Sequence, residues 1–205
     1  MTACSVHTPP ALSDVAACSR VLGALFYRSP DEPDVRPIVD LVASGNLTEA
    51  WPLGDPQAVQ SAATGMQACL TEAGARELLV AEHQRLFFGP DHLEAPPWGS
   101  VYLEEEGTLF GESSQALRRF LASEGISLAT GQEEPEDHIG LLLWAIALLA
   151  EEGRVPALRT LLERHVLTWS GAYLERLRLA TAHPFYQGVA TLAGLTLEAA
   201  AGDLD

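Results

Sequence analysis

Apolar residues recur at intervals of three and four along most of the chain, the spacing that places them on one face of a helix. In the segment LSDVAACSRVLGALFY (12–27), this face carries Val15 and Leu22, and Ser13 or Asp14 is the expected N-cap. No segment shows a convincing period of two, and no internal repeat is visible. The pattern therefore predicts an all-α protein.

Similar segments follow to the end of the chain, separated by glycine and proline residues that favour turns. We expect Pro37 in a first helical turn, Asp55 and Ser113 at N-caps, and Gly45 and Gly125 at helix ends. The chain is thus predicted to form one domain over residues 1–205, a bundle of roughly eight to ten helices. The later segments are DVRPIVDLVASG, DPQAVQSAATGMQACLTEAG, ARELLVAEHQRLFF, SSQALRRFLASEG, VPALRTLLERHV, TWSGAYLERLRLATA and FYQGVATLAGLTLEAAAG.

One long region, residues 89–111, breaks the helical pattern with three prolines, four glycines and three aromatic residues. Connections of this length are usually either functional or disordered, and the aromatic residues favour function. The Pro-Pro-Trp-Gly core predicts a rigid loop, and a two-stranded turn is the alternative for SVYLEEEGTLF (100–110).

The segment from Glu133 to Gly153 joins the densest acidic cluster of the chain to its longest apolar run, Ile139–Ala150. A membrane span needs about 20 apolar residues, and this run is much shorter, so no stable membrane insertion is expected. A helix that is apolar on every side is typical of the centre of a bundle instead. The residues expected in its first turn, near the positive end of the helix dipole, are Glu134, Pro135, Glu136 and Asp137.

The charge composition narrows the classes of function. The chain has 28 acidic and 12 basic residues, a formal net charge of −16. Such a surface repels phosphate backbones, so we expect a cationic partner and no nucleic acid. All 12 basic residues are arginine. The absence of lysine excludes a Walker-type NTPase and a Schiff-base enzyme.

The cysteines and the first residues bear on the compartment. Cys4, Cys18 and Cys69 are widely spaced and form no C-x-x-C motif, which argues against a disulfide framework and a zinc site. Unpaired cysteines fit the reducing cytosol. The first residues lack a basic segment followed by an apolar one, so they are not a secretory signal. These observations predict a cytoplasmic protein.

Asp137 and His138 are the candidate acid–base pair of a hydrolase, for nucleotides or for other substrates. As neighbours in a helix they would point about 100° apart, and no G-x-S-x-G nucleophile motif accompanies them. A metal site would need more ligands, and no second histidine lies within one helical turn of His138. We therefore expect neither catalysis nor a metal, and a hydrolase remains the alternative.

Six blocks of sequence, taken in order, resemble the twin-arginine signal-peptide chaperones, which are the redox-enzyme maturation proteins of the DmsD/TorD type. The resemblance covers nearly the whole chain and is closest to the DmsD branch, which serves dimethyl sulfoxide reductase. The E-P-x-D-H motif alone is moderately specific, whereas the blocks in this order are a strong signal. They are VLGALFY (21–27), EHQRLFFGP (82–90), PPWGSVYLEEE (96–106), LFGESS (109–114), EPEDHIG (134–140) and HPFY (183–186).

The resemblance implies an all-helical, non-catalytic chaperone in the cytosol, without a cofactor of its own. Such a protein binds the twin-arginine leader of a molybdenum-cofactor oxidoreductase subunit and delays its export until the cofactor is inserted. The Tat translocase is a further candidate partner. Residue matching implies a leader-binding surface made of Tyr27, Leu86, Phe87, Pro97, Trp98, Tyr102, Phe110, Gly111, Pro135, Glu136, Asp137 and His138.

For this surface we expect an apolar groove with an acidic rim. The apolar part of the leader would lie on the aromatic residues, and its arginines would form bidentate pairs with carboxylates. The candidate carboxylates are those of Glu104, Glu136 and Asp137. The sequence departs from residues common in DmsD-like members at three positions, with His83 and Asp91 in place of tryptophan and Glu105 in place of arginine.

Overall fold

A computed structural model describes residues 11–89, 92–104, 111–128 and 135–202 of the 205-residue chain. The described part contains eleven α-helices, of which nine have at least seven residues, and two π-helical segments. This confirms the predicted all-α fold. The helices are α1 (Leu12–Tyr27), α2 (Arg36–Ala43), α3 (Leu47–Ala50), α4 (Pro56–Ala68), α5 (Ala75–His83), α6 (Ser100–Leu103), α7 (Glu112–Ser123), α8 (Ile139–Glu151), α9 (Val155–Leu161), α10 (Ser170–Ala180) and α11 (Pro184–Gly202). The π-helical segments are Gln84–Phe88 and Leu162–Val166.

Several helix boundaries follow from the local sequence. The side chain of Asp55 caps α4 by accepting a hydrogen bond from the backbone N–H of Ala58 at 2.9 Å. Pro37 lies in the first turn of α2, where a missing N–H costs nothing. Gly45 and Gly125 follow α2 and α7 with φ values of 80° and 66°, the left-handed conformation that ends helices. These four expectations are confirmed.

The start of α8 was predicted wrongly. The helix begins only after His138, whose Nδ1 accepts a hydrogen bond from the backbone N–H of Gly140 at 3.0 Å and so acts as the N-cap. Glu134 lies outside the described residues. The predicted first-turn residues that precede the helix are Pro135, Glu136 and Asp137.

Three further expectations were also wrong. Ser13 and Asp14 lie inside α1, which begins earlier because its first apolar residue already packs against the core. Ser113 lies inside α7, and its backbone N–H and hydroxyl both donate to Glu104 instead of capping the helix. The alternative of a two-stranded turn over residues 100–110 fails where the structure describes it, because the backbone N–H groups of residues 103 and 104 bond four residues back and residues 100–103 form α6; residues 105–110 lie outside the described residues.

Helix α8 forms the centre of the core, as its uniformly apolar sequence predicted: ten of its 13 residues are buried. It packs along α1, and α11 packs on α1, α4 and α10. Two glycines allow the backbones of α1 and α8 to meet. A Cβ atom on Gly140 would lie 3.0 Å from the carbonyl oxygen of Gly23 and 2.9 Å from Cβ of Tyr27. No helix within the described ranges is both long and apolar enough to cross a membrane.

Candidate functional site

A short backbone pairing joins the Pro-Pro-Trp-Gly loop to the acidic motif before α8. Trp98 and His138 form an isolated antiparallel bridge. On either side of it, Gly99 N–H donates to the carbonyl of Asp137 at 3.1 Å, and Ile139 N–H donates to the carbonyl of Pro97 at 2.9 Å. Trp98 and His138 are thus a non-hydrogen-bonded pair, the arrangement in which facing side chains come closest. Two motifs that are about 40 residues apart in sequence therefore share one site.

The His138 side of this pairing is aromatic. The imidazole ring is buried, and its centroid lies 5.1 Å from that of Tyr27 and 6.1 Å from that of Trp98, both in edge-on geometry. Burial lowers the pKa of His138 to about 3, so the ring is neutral near pH 7. Because Nδ1 accepts the hydrogen bond from Gly140, the proton of the neutral ring is on Nε2.

Trp144, on the second turn of α8, extends this group toward the surface. Its ring lies 5.3 Å from that of Tyr27, and the guanidinium of Arg28 lies 5.6 Å above it. Its indole N–H donates to the carbonyl of Arg20 at 3.2 Å. Sequence analysis missed Trp144 because a helix that is apolar on every side gives no sign of which residue reaches the surface. We call Tyr27, Trp98, His138 and Trp144 the aromatic cluster.

The Asp137 side of the pairing is polar. The side chain of Asp137 bonds to α6 and α7 and points away from the aromatic cluster. Its Oδ2 accepts a hydrogen bond from the backbone N–H of Ser100 at 2.6 Å and one from Oγ of Ser114 at 3.3 Å. The carboxylate therefore fixes α6 and α7 to the acidic motif. It is buried, with 4 % of the residue exposed.

Beside Asp137 lies a cavity of about 400 Å³, bounded by α6, α7, α9 and the second π-helical segment. Asp137 and Ser100 form its buried end, and Phe120 and Trp169 contribute aromatic walls. Arg119 and Arg164 also line it. We call this cavity the Asp137 pocket. Among the described residues that line the pocket, the exposed charged ones are arginines.

The three candidate carboxylates already have partners within the chain. Glu136 forms a bidentate pair with Arg118, with N···O distances of 2.9 and 2.8 Å, and these hydrogen bonds lower the pKa of Glu136. Glu104 accepts hydrogen bonds from the N–H and the hydroxyl of Ser113 at 2.8 and 2.7 Å, which lower its pKa. Asp137 holds α6 and α7, as above. An arginine from a partner would therefore compete with internal donors at each of these groups.

Several residues expected on the surface belong to the core. Leu86 and Phe87 are 3 % and 5 % exposed, and the Phe87 ring packs against Phe26 and Tyr186 at centroid distances of 6.0 and 5.6 Å. The first π-helical segment carries both residues, and π-helical turns occur frequently near functional sites. Pro97 and Pro135 are buried as well.

The remaining residues of the expected leader-binding surface are Tyr102, Phe110 and Gly111. Tyr102 is half-buried and stacks on Trp169, with ring centroids 5.8 Å apart. Gly111 lies so close to the side chain of Glu104 that a Cβ atom would not fit. Phe110 lies outside the described residues. The structure thus brings Tyr27, Trp98 and His138 together on one side of the pairing, with Asp137 on the other.

This geometry gives no support to the hydrolase alternative. Asp137 and His138 face opposite sides of the backbone pairing, so the carboxylate does not orient the imidazole. The Nδ1 atom of His138 is occupied by the helix cap. Within the described residues, no group of three or more potential ligands could hold a metal ion.

Comparison with known proteins identifies relatives along most of the chain. Residues 53–175 match the family described as nitrate reductase delta subunit. The chain is 42 % identical over 184 residues to the Tat proofreading chaperone DmsD of Salmonella paratyphi A, which covers 90 % of this chain and 87 % of the relative. It is 38 % identical over 187 residues to a probable Tat proofreading chaperone DmsD of Haemophilus influenzae, covering 91 % and 90 %.

The fold is also found among solved structures. One example is the crystal structure of a candidate redox enzyme maturation protein from Archaeoglobus fulgidus, with a TM-score of 0.57. The match covers 93 % of this chain and 98 % of that one, at 18 % sequence identity. At this identity the similarity shows the architecture and nothing finer.

Proposed function

Because the chain belongs to the DmsD/TorD family of redox-enzyme maturation chaperones, we propose that it binds the twin-arginine leader of a molybdenum-cofactor oxidoreductase subunit. The chain is a chaperone that binds signal peptides, and it is not an enzyme. The proposal concerns the client and the binding surface. The client is the catalytic subunit of a dimethyl sulfoxide reductase, and the chaperone retains it in the cytoplasm until its cofactor is in place. Release to the Tat translocase follows.

The observation that carries this proposal is the pairing of Trp98 with His138. It places an aromatic surface and the Asp137 pocket, with its one buried carboxylate, side by side on the two faces of one short backbone segment. A twin-arginine leader has the complementary parts, which are two adjacent cations and an apolar stretch. The apolar stretch lies on the half-buried members of the aromatic cluster, Tyr27, Trp98 and Trp144. The arginines lie toward Asp137 and Glu136.

The free energies of the different contacts indicate which of them supply the affinity for the leader. Burying about 400 Å² of apolar leader surface would contribute roughly 10 kcal/mol at ~25 cal/mol/Å². Ordering a flexible peptide takes back roughly 2–5 kcal/mol, and association itself costs more. An exposed ion pair contributes only about 0.2–1 kcal/mol. The apolar contacts therefore supply most of the affinity, and the charges set orientation and association rate.

Arg118 has a specific place in this mechanism. Its guanidinium already forms the bidentate pair with Glu136 that a leader arginine would form. A leader arginine gains this contact only by displacing Arg118, so the exchange is nearly neutral in energy. Glu136 therefore adds little affinity of its own and instead selects for a group that matches the fork of a guanidinium.

The test is calorimetric titration of the purified chain with the leader of a dimethyl sulfoxide reductase catalytic subunit. An unrelated twin-arginine leader of equal length is the control. We expect the dimethyl sulfoxide reductase leader to bind at least about tenfold more tightly, because the apolar residues that follow the arginines differ between leaders. Equal binding of both leaders would refute the assignment of the client. Failure of both to bind would refute leader binding altogether.

A further inference from the structure

The Asp137 pocket contains two arginines that differ from most others in the chain. Six arginines form ion pairs with nearby carboxylates: Arg20, Arg28, Arg76, Arg85, Arg118 and Arg154. Arg119 and Arg164 both line the pocket and make no hydrogen bond or ion pair with any described residue. In a chain with a net charge of −16, such unpaired cations at one cavity indicate a site for a negative group.

The buried end of the same pocket requires a hydrogen-bond donor and not a negative group. Oδ1 of Asp137 and Oγ of Ser100 are buried, and neither has a hydrogen-bond partner among the described residues. Asp137 is 4 % exposed and Ser100 is fully buried. Buried polar atoms are nearly always hydrogen-bonded, and a carboxylate oxygen can only accept. The inner end of the pocket therefore lacks a donor, while its outer part lacks an acceptor.

We propose that the Asp137 pocket binds a segment carrying both charges, with a guanidinium directed at Asp137 and a nearby carboxylate held by Arg119 and Arg164. The proposal rests on the proposed function and adds to it a second recognition element, an acidic residue close to the twin arginines of the client.

A ligand with only negative or only positive charge fits this arrangement less well than a segment that carries both charges. An anion that filled the pocket would meet the carboxylate of Asp137 at its inner end, and a cation alone would meet Arg119 and Arg164 near its mouth. Burial and the adjacent Arg164 lower the pKa of His165, which also lines the pocket, so it adds no charge near pH 7. A volume of about 400 Å³ is within the range of pockets that hold small ligands, and it accommodates an arginine side chain with its neighbour.

The experiment uses calorimetry with synthetic twin-arginine peptides whose ends are capped, so that the added side chain supplies the only carboxylate. One series carries a glutamate at two, three or four positions from the nearer arginine, and a matched series carries glutamine there. We expect the best glutamate peptide to bind about fivefold more tightly than its glutamine counterpart, the effect of two exposed ion pairs. Raising the salt concentration should shrink this ratio.

Variants of the protein test whether Arg119 and Arg164 cause the preference for glutamate. In the double variant Arg119→Gln/Arg164→Gln the preference for glutamate should disappear. In Arg36→Gln, an exposed arginine that lines a different cavity, it should remain. Because Arg119 and Arg164 are exposed, both variants should fold, and thermal unfolding checks this. If the double variant does not fold, the two single variants are measured, and each should reduce the preference.

The outcomes separate this inference from the proposed function. If the glutamate and glutamine peptides bind the wild-type chain equally at every spacing, the inference is wrong while leader binding stands. If the preference persists in the double variant, the carboxylate lies elsewhere and the inference is equally wrong. If no twin-arginine peptide binds, the proposed function and the inference both fail.

Discussion

The two sides of the Trp98–His138 pairing differ sharply, although they are built from neighbouring residues. The His138 side is aromatic, and its imidazole is neutral, with a pKa lowered to about 3 by burial. The Asp137 side is a cavity with a buried carboxylate and two arginines that form no ion pair with any described residue. One short segment produces both, because the Asp137 side chain bonds to Ser100, whereas the side chain of the next residue, His138, caps α8. The comparison shows that a contiguous motif, E-P-E-D-H, can supply two chemically distinct surfaces.

The largest expected effect concerns the contact of α1 with α8, which positions both sides of the Trp98–His138 pairing. Gly140→Val should destabilise the fold by about 3 kcal/mol, because the new side chain would overlap Tyr27 and the backbone of Gly23. Chemical denaturation measures this change. The matched control is Gly171→Ala in α10, where nothing lies within 4 Å, and it should stabilise slightly. Equal effects of the two changes would contradict this account of the packing.

The second prediction concerns the aromatic side and its dependence on pH. The folded-state pKa of His138 is lowered to about 3 from an ordinary value near 6.5, so the unfolded chain binds more protons between these values. The free energy of unfolding should therefore fall as the pH falls, and this histidine accounts for about 2 kcal/mol between pH 7 and pH 5. Protonation would also remove the acceptor that caps α8.

The variant His138→Asn isolates this contribution, since asparagine is also an N-cap residue but does not titrate. Its free energy of unfolding should depend less steeply on pH than that of the wild type. Denaturant titrations at several pH values measure the two slopes. Burial lowers the pKa of His83 to about 4, so His83→Phe should flatten the wild-type slope as well. Identical slopes in wild type and His138→Asn would show that this ring titrates normally in the folded state.

The third prediction compares the two sides in leader binding. Trp98→Ala should weaken binding roughly tenfold through lost apolar contact, whereas replacing both leader arginines with lysine should weaken it less than about threefold. Calorimetry on the same leader measures both changes. Leu179→Ala, a change at an exposed apolar residue outside both the aromatic cluster and the Asp137 pocket, is the control and should have little effect. The reverse ranking would mean that charges dominate the affinity.

The smallest expected effect concerns Arg118, which competes with a leader arginine for the carboxylate of Glu136. Arg118→Gln should tighten leader binding about threefold, because Glu136 is then free to accept a leader arginine. The affinity for a leader with glutamines in place of its arginines should not change. Weaker binding of the wild-type leader to Arg118→Gln would show that Arg118 contacts the leader itself.

The sequence alone determined the fold class, because helical periodicity reports which residues must be buried together. It also placed the ends of α2 and α7 and the cap of α4, since Gly45, Gly125 and Asp55 act through local backbone geometry. The ordered blocks of sequence identified the family, which the relatives confirm.

Only the tertiary structure decided how the site is arranged. His138 caps α8 because the pairing with Trp98, a contact distant in sequence, holds His138 extended after the turn formed by residues 135–138. That same pairing directs Asp137 into a pocket whose arginines come from α7 and from the second π-helical segment. Local patterns carry no information about such contacts, because the residues that meet belong to different helices and are brought together only when the core packs.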